Sequence, residues 1–234
     1  APSLVGSEMC IRDSYINDHF VIMCTKKGQV KKTSLEQYSR PRSNGINAIT
    51  IKEDDELLEA KLTNGNSQIL IAVKSGKCIR FEENKTRPMG RNASGVRGVR
   101  LKDQKDEVVG MISVNDMDSD ILVVSENGYG KRSKLEDYRI TNRGGKGVKT
   151  ISITEKTGNL VSLKNVSDGD DLMIINKSGI AIRMEVNTLR VMGRATQGVR
   201  LINIKDNDSI AAVAKVVLDD QEVTDIEEID VVED

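Results

Sequence analysis

The sequence predicts an all-β fold, a propeller-like array of four tandem blades that each hold about 50 residues and about four strands. Three recurring patterns predict this array: a pair of apolar runs joined by a glycine turn, a second glycine-centred stretch, and a further apolar run that closes each unit. All three patterns occur four times in the same order. Because a single blade leaves two apolar faces open, neighbouring blades must cover them.

The first pattern has the composition of a β-hairpin. Each copy is a run rich in Val and Ile, then a polar residue and a glycine, then a second run that ends in a base. β-Branched residues favour strands, and glycine accepts the positive φ of a tight turn. The turn glycines are Gly28, Gly76, Gly128 and Gly179, which lie 48, 52 and 51 residues apart.

The second and third patterns complete each unit. The second is centred on Gly45, Gly95, Gly147 and Gly198, at spacings of 50, 52 and 51 residues. The third reads ELLEAKL, EVVGMISV, NLVSLKNV and SIAAVAKV in chain order, which is strand chemistry again. Together the patterns predict blade 1 at residues 15–67, blade 2 at 68–119, blade 3 at 120–169 and blade 4 at 170–216.

The two ends of the chain do not follow the repeat. Residues 1–14 match none of the patterns and are interpreted as a non-native or disordered leader. Residues 217–234 hold nine acidic residues and no lysine or arginine, which predicts an acidic disordered tail. Without that tail, 35 basic residues face 27 acidic ones, a net charge of +8. A basic body of this kind favours a polyanionic partner, for which the tail would compete.

The composition excludes several kinds of active site. His19 is the only histidine, so neither a His-based triad nor a multi-histidine metal site can be assembled. The three cysteines form no CxxC pair, which argues against a zinc site and favours a reducing cytoplasm. Asp116, Asp118 and Asp120 resemble the start of a calcium loop, but its glycine and closing glutamate are missing. We therefore predict no catalytic residue, metal ion or cofactor in this chain, and the lack of a long apolar run predicts no membrane segment.

Basic residues recur at matching positions of the repeats. They end the first hairpin, precede the second glycine and follow that glycine. In a stacked array such positions align along one edge, which suits a polyphosphate that passes successive blades. The candidate phosphate-contacting bases are Lys31, Lys32, Arg40, Arg42, Arg91, Arg97, Arg100, Lys131, Arg132, Arg143, Lys146, Lys149, Arg194 and Arg200.

The loop Asn142–Gly147 is the sharpest local motif. Its glycines, Gly144, Gly145 and Gly147, let the backbone approach a ligand closely and direct its N–H groups outward, and a base flanks them on each side. Two alternatives stay open at this point. The loop is an ordinary glycine-rich connection, or some of the bases pair with acids of the neighbouring blade. A protein-binding propeller, whose bases serve only solubility, is the competing function.

Three stretches carry a resemblance to a known family. They are NGYGKRSKLEDY at Asn127–Tyr138, RPMGRNASGVRGVRL at Arg87–Leu101 and VMGRATQGVRLI at Val191–Ile202. The chain resembles the C-terminal domain of the bacterial DNA gyrase A subunit over about residues 15–216, in order and in spacing. The related topoisomerase IV subunit shares the blade architecture and is the nearest alternative.

The resemblance implies a β-pinwheel, a propeller-like ring in which neighbouring blades exchange strands. Family domains of the gyrase type usually have six blades, so this chain would be an incomplete array that resembles the last four. The resemblance further implies non-sequence-specific binding and wrapping of double-stranded DNA, in support of ATP-dependent negative supercoiling by a type IIA topoisomerase. The partners would be the rest of the gyrase A subunit together with the gyrase B subunit, where ATP and Mg²⁺ act, in the bacterial cytoplasm.

One loop resembles the signature box of that family. The box has the form Gln, base, Arg-Gly-Gly, base, Gly and normally lies in the first blade. The loop Thr141–Gly147 is similar to its last five positions, whereas Thr141 and Asn142 stand where the glutamine and the first base would be. The resemblance therefore implies phosphate contacts for Arg143 and Lys146 but not the full role of the box.

Overall fold

The computed structural model describes residues 18–40, 42–204 and 208–216. The predicted leader at residues 1–14 and the predicted acidic tail at residues 217–234 lie outside the described residues. The described chain is all-β, as the sequence predicts: 15 strands form four antiparallel sheets, joined by short 3₁₀ turns. None of these turns is long and apolar enough to cross a membrane.

Each sheet is built on one predicted hairpin, with the closing run of the same repeat paired to its first strand. The strands, numbered along the whole chain, are β1 (Phe20–Thr25), β2 (Gln29–Ser34) and β3 (Leu57–Thr63) in the first sheet; β4 (Gln68–Val73), β5 (Lys77–Glu82) and β7 (Val108–Val114) in the second; β8 (Asp120–Ser125), β9 (Tyr129–Lys134) and β11 (Leu160–Val166) in the third; and β12 (Asp171–Asn176), β13 (Ala181–Glu185) and β15 (Ile210–Val216) in the fourth. The 3₁₀ turns are Leu35–Tyr38, Glu83–Lys85, Leu135–Asp137 and Val186–Thr188.

The next repeat donates the outer strand of three sheets. These two-residue strands are β6 (Val96–Arg97), β10 (Val148–Lys149) and β14 (Val199–Arg200), and they pair with β2, β5 and β9 respectively. The exchange of strands that the resemblance implies is therefore confirmed. A blade consequently combines residues from two successive repeats rather than one continuous segment.

A glycine precedes each donated strand because the backbones approach too closely for a side chain. Gly95, Gly147 and Gly198 have φ angles of +88°, +70° and +82°. A Cβ at these positions would lie 2.5–2.6 Å from a main-chain oxygen of the receiving strand. Real Cβ atoms do not approach oxygen that closely, so the recurring glycine of the second pattern is required by the exchange.

Apolar clusters fill the space between successive sheets. The cluster between the first and second sheets contains Ile22 and Ile71, the next contains Leu70 and Tyr138, and the last contains Leu172. The closing strands β3, β7, β11 and β15 contact one another in succession. Because each donated strand lies at the opposite edge of its sheet, the donated strands together form the outer edge of the array.

The array is open at both ends of the described chain. The fourth sheet holds three strands in the described residues, and a Cβ at its turn residue Gly179 would meet nothing within 4 Å. A Cβ at the equivalent Gly28, Gly76 or Gly128 would lie 2.6–2.8 Å from atoms of the incoming repeat. At the other end Leu62 on β3 is 61 % exposed. The interior positions are buried because a neighbouring repeat covers them, as expected for a stacked array.

Candidate nucleic-acid interface

The donated strands place one exposed base at the outer edge of each exchange. Arg97 on β6, Lys149 on β10 and Arg200 on β14 occupy the same position in their repeats and are exposed. They form what we call the outer row, with one base for each exchange. Their alignment is the one expected from the repeat pattern, and their contact with DNA stays a prediction.

Two arginines bridge adjacent repeats beside this row. Arg143 donates from Nε to the Lys85 carbonyl at 2.9 Å and from Nη1 to the Arg97 carbonyl at 3.1 Å. Arg194 donates from Nη1 to the Lys149 carbonyl at 2.9 Å. Each guanidinium group therefore lies next to a base of the outer row and keeps further N–H donors that can reach a phosphate.

The glycine-rich loop packs against the preceding repeat. Gly144 donates its N–H to the Gly98 carbonyl at 2.6 Å, and the Gly145 carbonyl accepts from the Arg100 N–H at 2.8 Å. Gly144 has a φ of +79°. The expectation that the loop directs its N–H groups outward is therefore corrected at Gly144, since this donor is used in holding two repeats together.

Four bases surround a small cavity beside this loop. Lys146 and Arg100, both sequence candidates, line a cavity of about 160 Å³ together with Lys77 and Lys102. Lys77 and Lys102 are not among the candidates predicted from the sequence. Lys77 directly follows a turn glycine, but this position is not basic in the other three repeats, so no recurring base marked it. In the structure its cross-strand partner is Lys149 of the outer row.

A second group of bases lies at the next exchange. Arg139, which is not among the candidates, lines a cavity of about 350 Å³ with Lys149 and Arg194. Asp137 lies in the same wall. The structure thus brings a base of the outer row, a bridging arginine and one further arginine together on one surface.

Three further candidates, two in the first repeat and Arg91 in the second, are more dispersed. Arg40 and Arg42 are exposed, and their side chains make no hydrogen bond or ion pair within the described residues. Arg91 is half-buried, and its N–H donates to Gln37 Oε1 at 3.2 Å. These three bases are not brought into contact with the outer row.

Lys32 and Arg132 do not lie on the exposed edge, contrary to expectation. Lys32 is 4 % exposed, and its ammonium group pairs with Glu83 Oε1 at 2.9 Å. Arg132 is 8 % exposed and donates from Nε to the Leu189 carbonyl at 2.6 Å, while Nη1 pairs with Asp168. The Arg132 guanidinium lowers the pKa of Asp168 below its usual value. Lys32 and Arg132 reach Glu83 and Leu189 of the following repeat because strand exchange covers this part of the hairpin, whereas Asp168 belongs to the repeat of Arg132 itself.

Lys31 and Lys131 are also buried, which corrects their assignment to the exposed edge. Lys31 Nζ donates to the carbonyls of Ala48 and Arg91. Lys131 Nζ donates to the Gly193 carbonyl at 2.6 Å and to Thr196 Oγ1 at 3.1 Å. Burial lowers the pKa of each ammonium group to about 8. These lysines lie beneath the loops that carry the half-buried Arg91 and Arg194.

Comparison with known proteins gives a consistent result. The chain matches the family described as DNA gyrase C-terminal domain, beta-propeller, at residues 19–64, 68–115, 119–167 and 170–216. It is 44 % identical to the DNA gyrase A subunit of Staphylococcus aureus strain MRSA252 over 233 residues, which are 99 % of this chain and 26 % of that protein. Its identity to the same subunit of strain NCTC 8325 / PS 47 is 44 % over 227 residues, 96 % of this chain and 25 % of that protein. The chain therefore spans about a quarter of the length of these curated relatives.

Two solved structures share the fold. A C-terminal domain of DNA topoisomerase IV superposes with a TM-score of 0.82 at 23 % identity, over 87 % of this chain and 63 % of that chain. A DNA gyrase A C-terminal domain superposes with a TM-score of 0.77 at 25 % identity, over 87 % of this chain and 67 % of that chain. The fold of the array thus has counterparts of known structure.

Proposed function

The chain belongs to the DNA gyrase C-terminal domain family, and from that premise we propose that it binds duplex DNA along the outer row and wraps it. In the parent protein the wrapped DNA would be the substrate for ATP-dependent negative supercoiling by a type IIA topoisomerase. The role of this chain is then physical: it holds and bends DNA, and other parts of the parent protein cut and pass it.

The observation that carries this proposal is the outer row. Arg97, Lys149 and Arg200 lie at the outer edge of three successive exchanges, so a polyphosphate that follows this edge meets one base at each blade. The bridging Arg143 and Arg194 add donors beside the row. Such contacts are made with phosphates, which position a duplex and carry no sequence information.

The arrangement predicts weak sequence preference. The described residues include no α-helix that could enter a major groove, so base edges are not read by that route. Smooth bending of a 20–30 bp site by 40–90° costs on the order of 1–6 kcal/mol, and this cost depends on the sequence that is bent. Any preference is therefore expected to follow DNA deformability.

The number of available bases is sufficient for such bending. Beside the outer row and the two bridging arginines, Arg100 and Lys146 are exposed at the second exchange. Contact with roughly 6–10 phosphates would make affinity fall by about 10³–10⁵-fold between 50 and 200 mM salt, because each contact releases condensed counterions. A steep dependence on salt is thus the expected signature.

The assignment to gyrase rather than topoisomerase IV rests on sequence identity. The gyrase A relatives are 44 % identical to the chain, whereas the topoisomerase IV domain, at 23 %, shows the fold alone. We accordingly propose that the partners are the rest of the gyrase A subunit together with the gyrase B subunit, in the bacterial cytoplasm. ATP and Mg²⁺ would act in those other parts, and this chain would need no cofactor.

The proposal is tested by binding a fluorescent duplex of about 40 bp to the full chain at several salt concentrations, followed by fluorescence anisotropy. The variant replaces the outer row: Arg97→Ala, Lys149→Ala and Arg200→Ala. At about 0.9 per phosphate contact, loss of three contacts should reduce the slope of log affinity against log salt by roughly 2.7.

A matched control makes the same change in net charge at the opposite edge. Lys61, Lys164 and Lys215 lie on the closing strands β3, β11 and β15, away from the outer row. Their triple alanine variant should keep the slope of the parent chain. If both triple variants lose the same slope, binding follows net charge alone and the outer row is not the interface.

A further inference from the structure

Two buried lysines occupy equivalent positions in alternate repeats. Lys31 on β2 and Lys131 on β9 are both 0 % exposed, and the position between them in the array, on β5, holds Ile79. The fourth repeat has Ile182 there. Since isoleucine fills this position in a folded blade, packing alone does not require a lysine.

The ammonium groups lie beneath the loops that precede the donated strands. Lys131 Nζ donates to the Gly193 carbonyl and to Thr196 Oγ1, and Thr196 itself donates to the same carbonyl at 2.9 Å. Lys31 Nζ donates to the Arg91 carbonyl of the second repeat and to the Ala48 carbonyl of the first. Each lysine thus donates a hydrogen bond to a main-chain oxygen in a loop of the next repeat, at Arg91 for Lys31 and at Gly193 for Lys131.

The loop above Lys131 carries a bridging arginine of the proposed interface, and the loop above Lys31 carries the sequence candidate Arg91. Arg194 follows Gly193 directly and reaches the Lys149 carbonyl at 2.9 Å, so it lies beside the outer row. Arg91 supplies the carbonyl that Lys31 holds. A charge-assisted hydrogen bond to a carbonyl is stronger than a neutral one and fixes the loop on which the guanidinium is mounted.

We propose that Lys31 and Lys131 are positioning residues for duplex binding: each buried ammonium group clamps the loop above it and thereby fixes where Arg91 or Arg194 meets a phosphate. This inference rests on the proposed function. The lysines themselves do not touch DNA, because they are covered by the loops that they hold.

The free energy of unfolding distinguishes a clamp from a lysine that only stabilises the fold. Burial lowers the pKa of both lysines to about 8, whereas an unfolded lysine keeps its proton to about 10.4. Between these values the unfolded chain binds more protons, so the free energy of unfolding rises with pH in this window. The charged lysine therefore costs stability, and replacement by isoleucine should leave the chain as stable or more stable, as found for other buried charges.

The same titration should weaken the clamp. As pH rises through about 8, the ammonium group loses the proton that strengthens its bonds to the carbonyls. The charged groups that face Lys131 are Asp137, Arg194 and Lys149, and Arg91 faces Lys31. Duplex affinity should then fall between pH 7 and 9 while the free energy of unfolding rises.

The experiment uses the full chain and a 40 bp duplex. Lys131→Ile, which copies Ile79 of the second repeat, should lower affinity by roughly threefold to tenfold, the effect of losing about one phosphate contact. Arg194→Ala should do the same, and the double variant should be no weaker than either single one, because both remove one contact. The control Lys164→Ile makes the same charge change on β11 and should have little effect.

Two further readouts complete the test. Combined replacement of Lys31 and Lys131 by isoleucine should abolish the loss of affinity between pH 7 and 9, without lowering the urea midpoint. In the absence of DNA, amide hydrogen exchange in Gly193–Gly198 should become faster in Lys131→Ile. Unchanged affinity, or losses for Lys131→Ile and Arg194→Ala that add in full, would overturn the proposal. If the parent chain does not bind the duplex, the proposed function has failed, and the exchange rates alone then decide whether the clamp exists.

Discussion

Replacing Glu83 with alanine removes the carboxylate of a buried ion pair at the first strand exchange. Glu83 is 0 % exposed and pairs with Lys32 Nζ at 2.9 Å. It also accepts hydrogen bonds from Thr63 Oγ1 at 2.7 Å and from the Ser67 N–H at 3.2 Å. One carboxylate thus serves a cation, a hydroxyl and a main-chain donor, all of them buried.

The expected loss follows from what the substitution leaves behind. Among the described residues, Lys32 then keeps only the face of Phe20 as a partner for its charge, with Nζ 4.0 Å from the ring centroid. Removing one member of a buried pair typically destabilises by about 3–5 kcal/mol, since the other charge is left without compensation. The Ser67 N–H also loses its carboxylate acceptor, so we expect Glu83→Ala to lower the free energy of unfolding by at least about 3 kcal/mol.

The assay is urea denaturation of the full chain, followed by far-ultraviolet circular dichroism. The double variant Lys32→Met/Glu83→Leu removes both charges and should recover most of the loss, because an apolar pair of similar volume avoids the cost of burying ions. A loss below about 1 kcal/mol for Glu83→Ala would refute the reasoning. It would mean that the Lys32 ammonium group reaches water, and Lys32 would return to the candidates for DNA contact.

Other predictions test the packing of the repeats. Gly128→Ala should destabilise the chain by about 1–3 kcal/mol more than Gly179→Ala in the same assay, because a Cβ at Gly128 meets the Ile202 carbonyl at 2.8 Å, whereas both substitutions share the strain of positive φ. Equal losses would show that the incoming repeat does not cover the turn. Burial raises the pKa of the Cys78 thiol to about 12 and that of Cys24 further, so iodoacetamide at pH 8 should leave both unmodified in the folded chain and alkylate both in urea, as measured by peptide mass spectrometry. Modification of either cysteine before unfolding would contradict the burial of these strands.

The sequence predicted the fold class because the repeat is local. Turn glycines such as Gly28 and Gly76 mark hairpins through their own backbone preference, and runs rich in Val and Ile form strands without reference to distant residues. The exchange of strands was implied only by the family resemblance. The pairing of β6 with β2 joins residues about 67 positions apart, and no local preference determines it.

The candidate site was predicted in part. The bases of the outer row were predicted correctly as exposed residues, because each one occupies the same position after the glycine of a donated strand. They are Arg97, Lys149 and Arg200. Lys77 and Lys102 were missed because neither belongs to the recurring basic positions, although both line the cavity beside Lys146. Their proximity depends on packing between repeats, which a linear pattern does not record.

The bases that end the hairpins show what only the tertiary structure decided. By itself, the sequence determined that each hairpin ends in a base and that the unit recurs four times, since both are properties of one segment. It did not distinguish Lys131 and Arg132, which are buried, from Lys134 on the same strand, which is exposed. Successive residues of a strand face opposite sides, and either side is solvent or protein according to what the next repeat lays over it. That covering segment lies about 60 residues further along the chain, so the exchange of strands decides whether each base is buried or exposed.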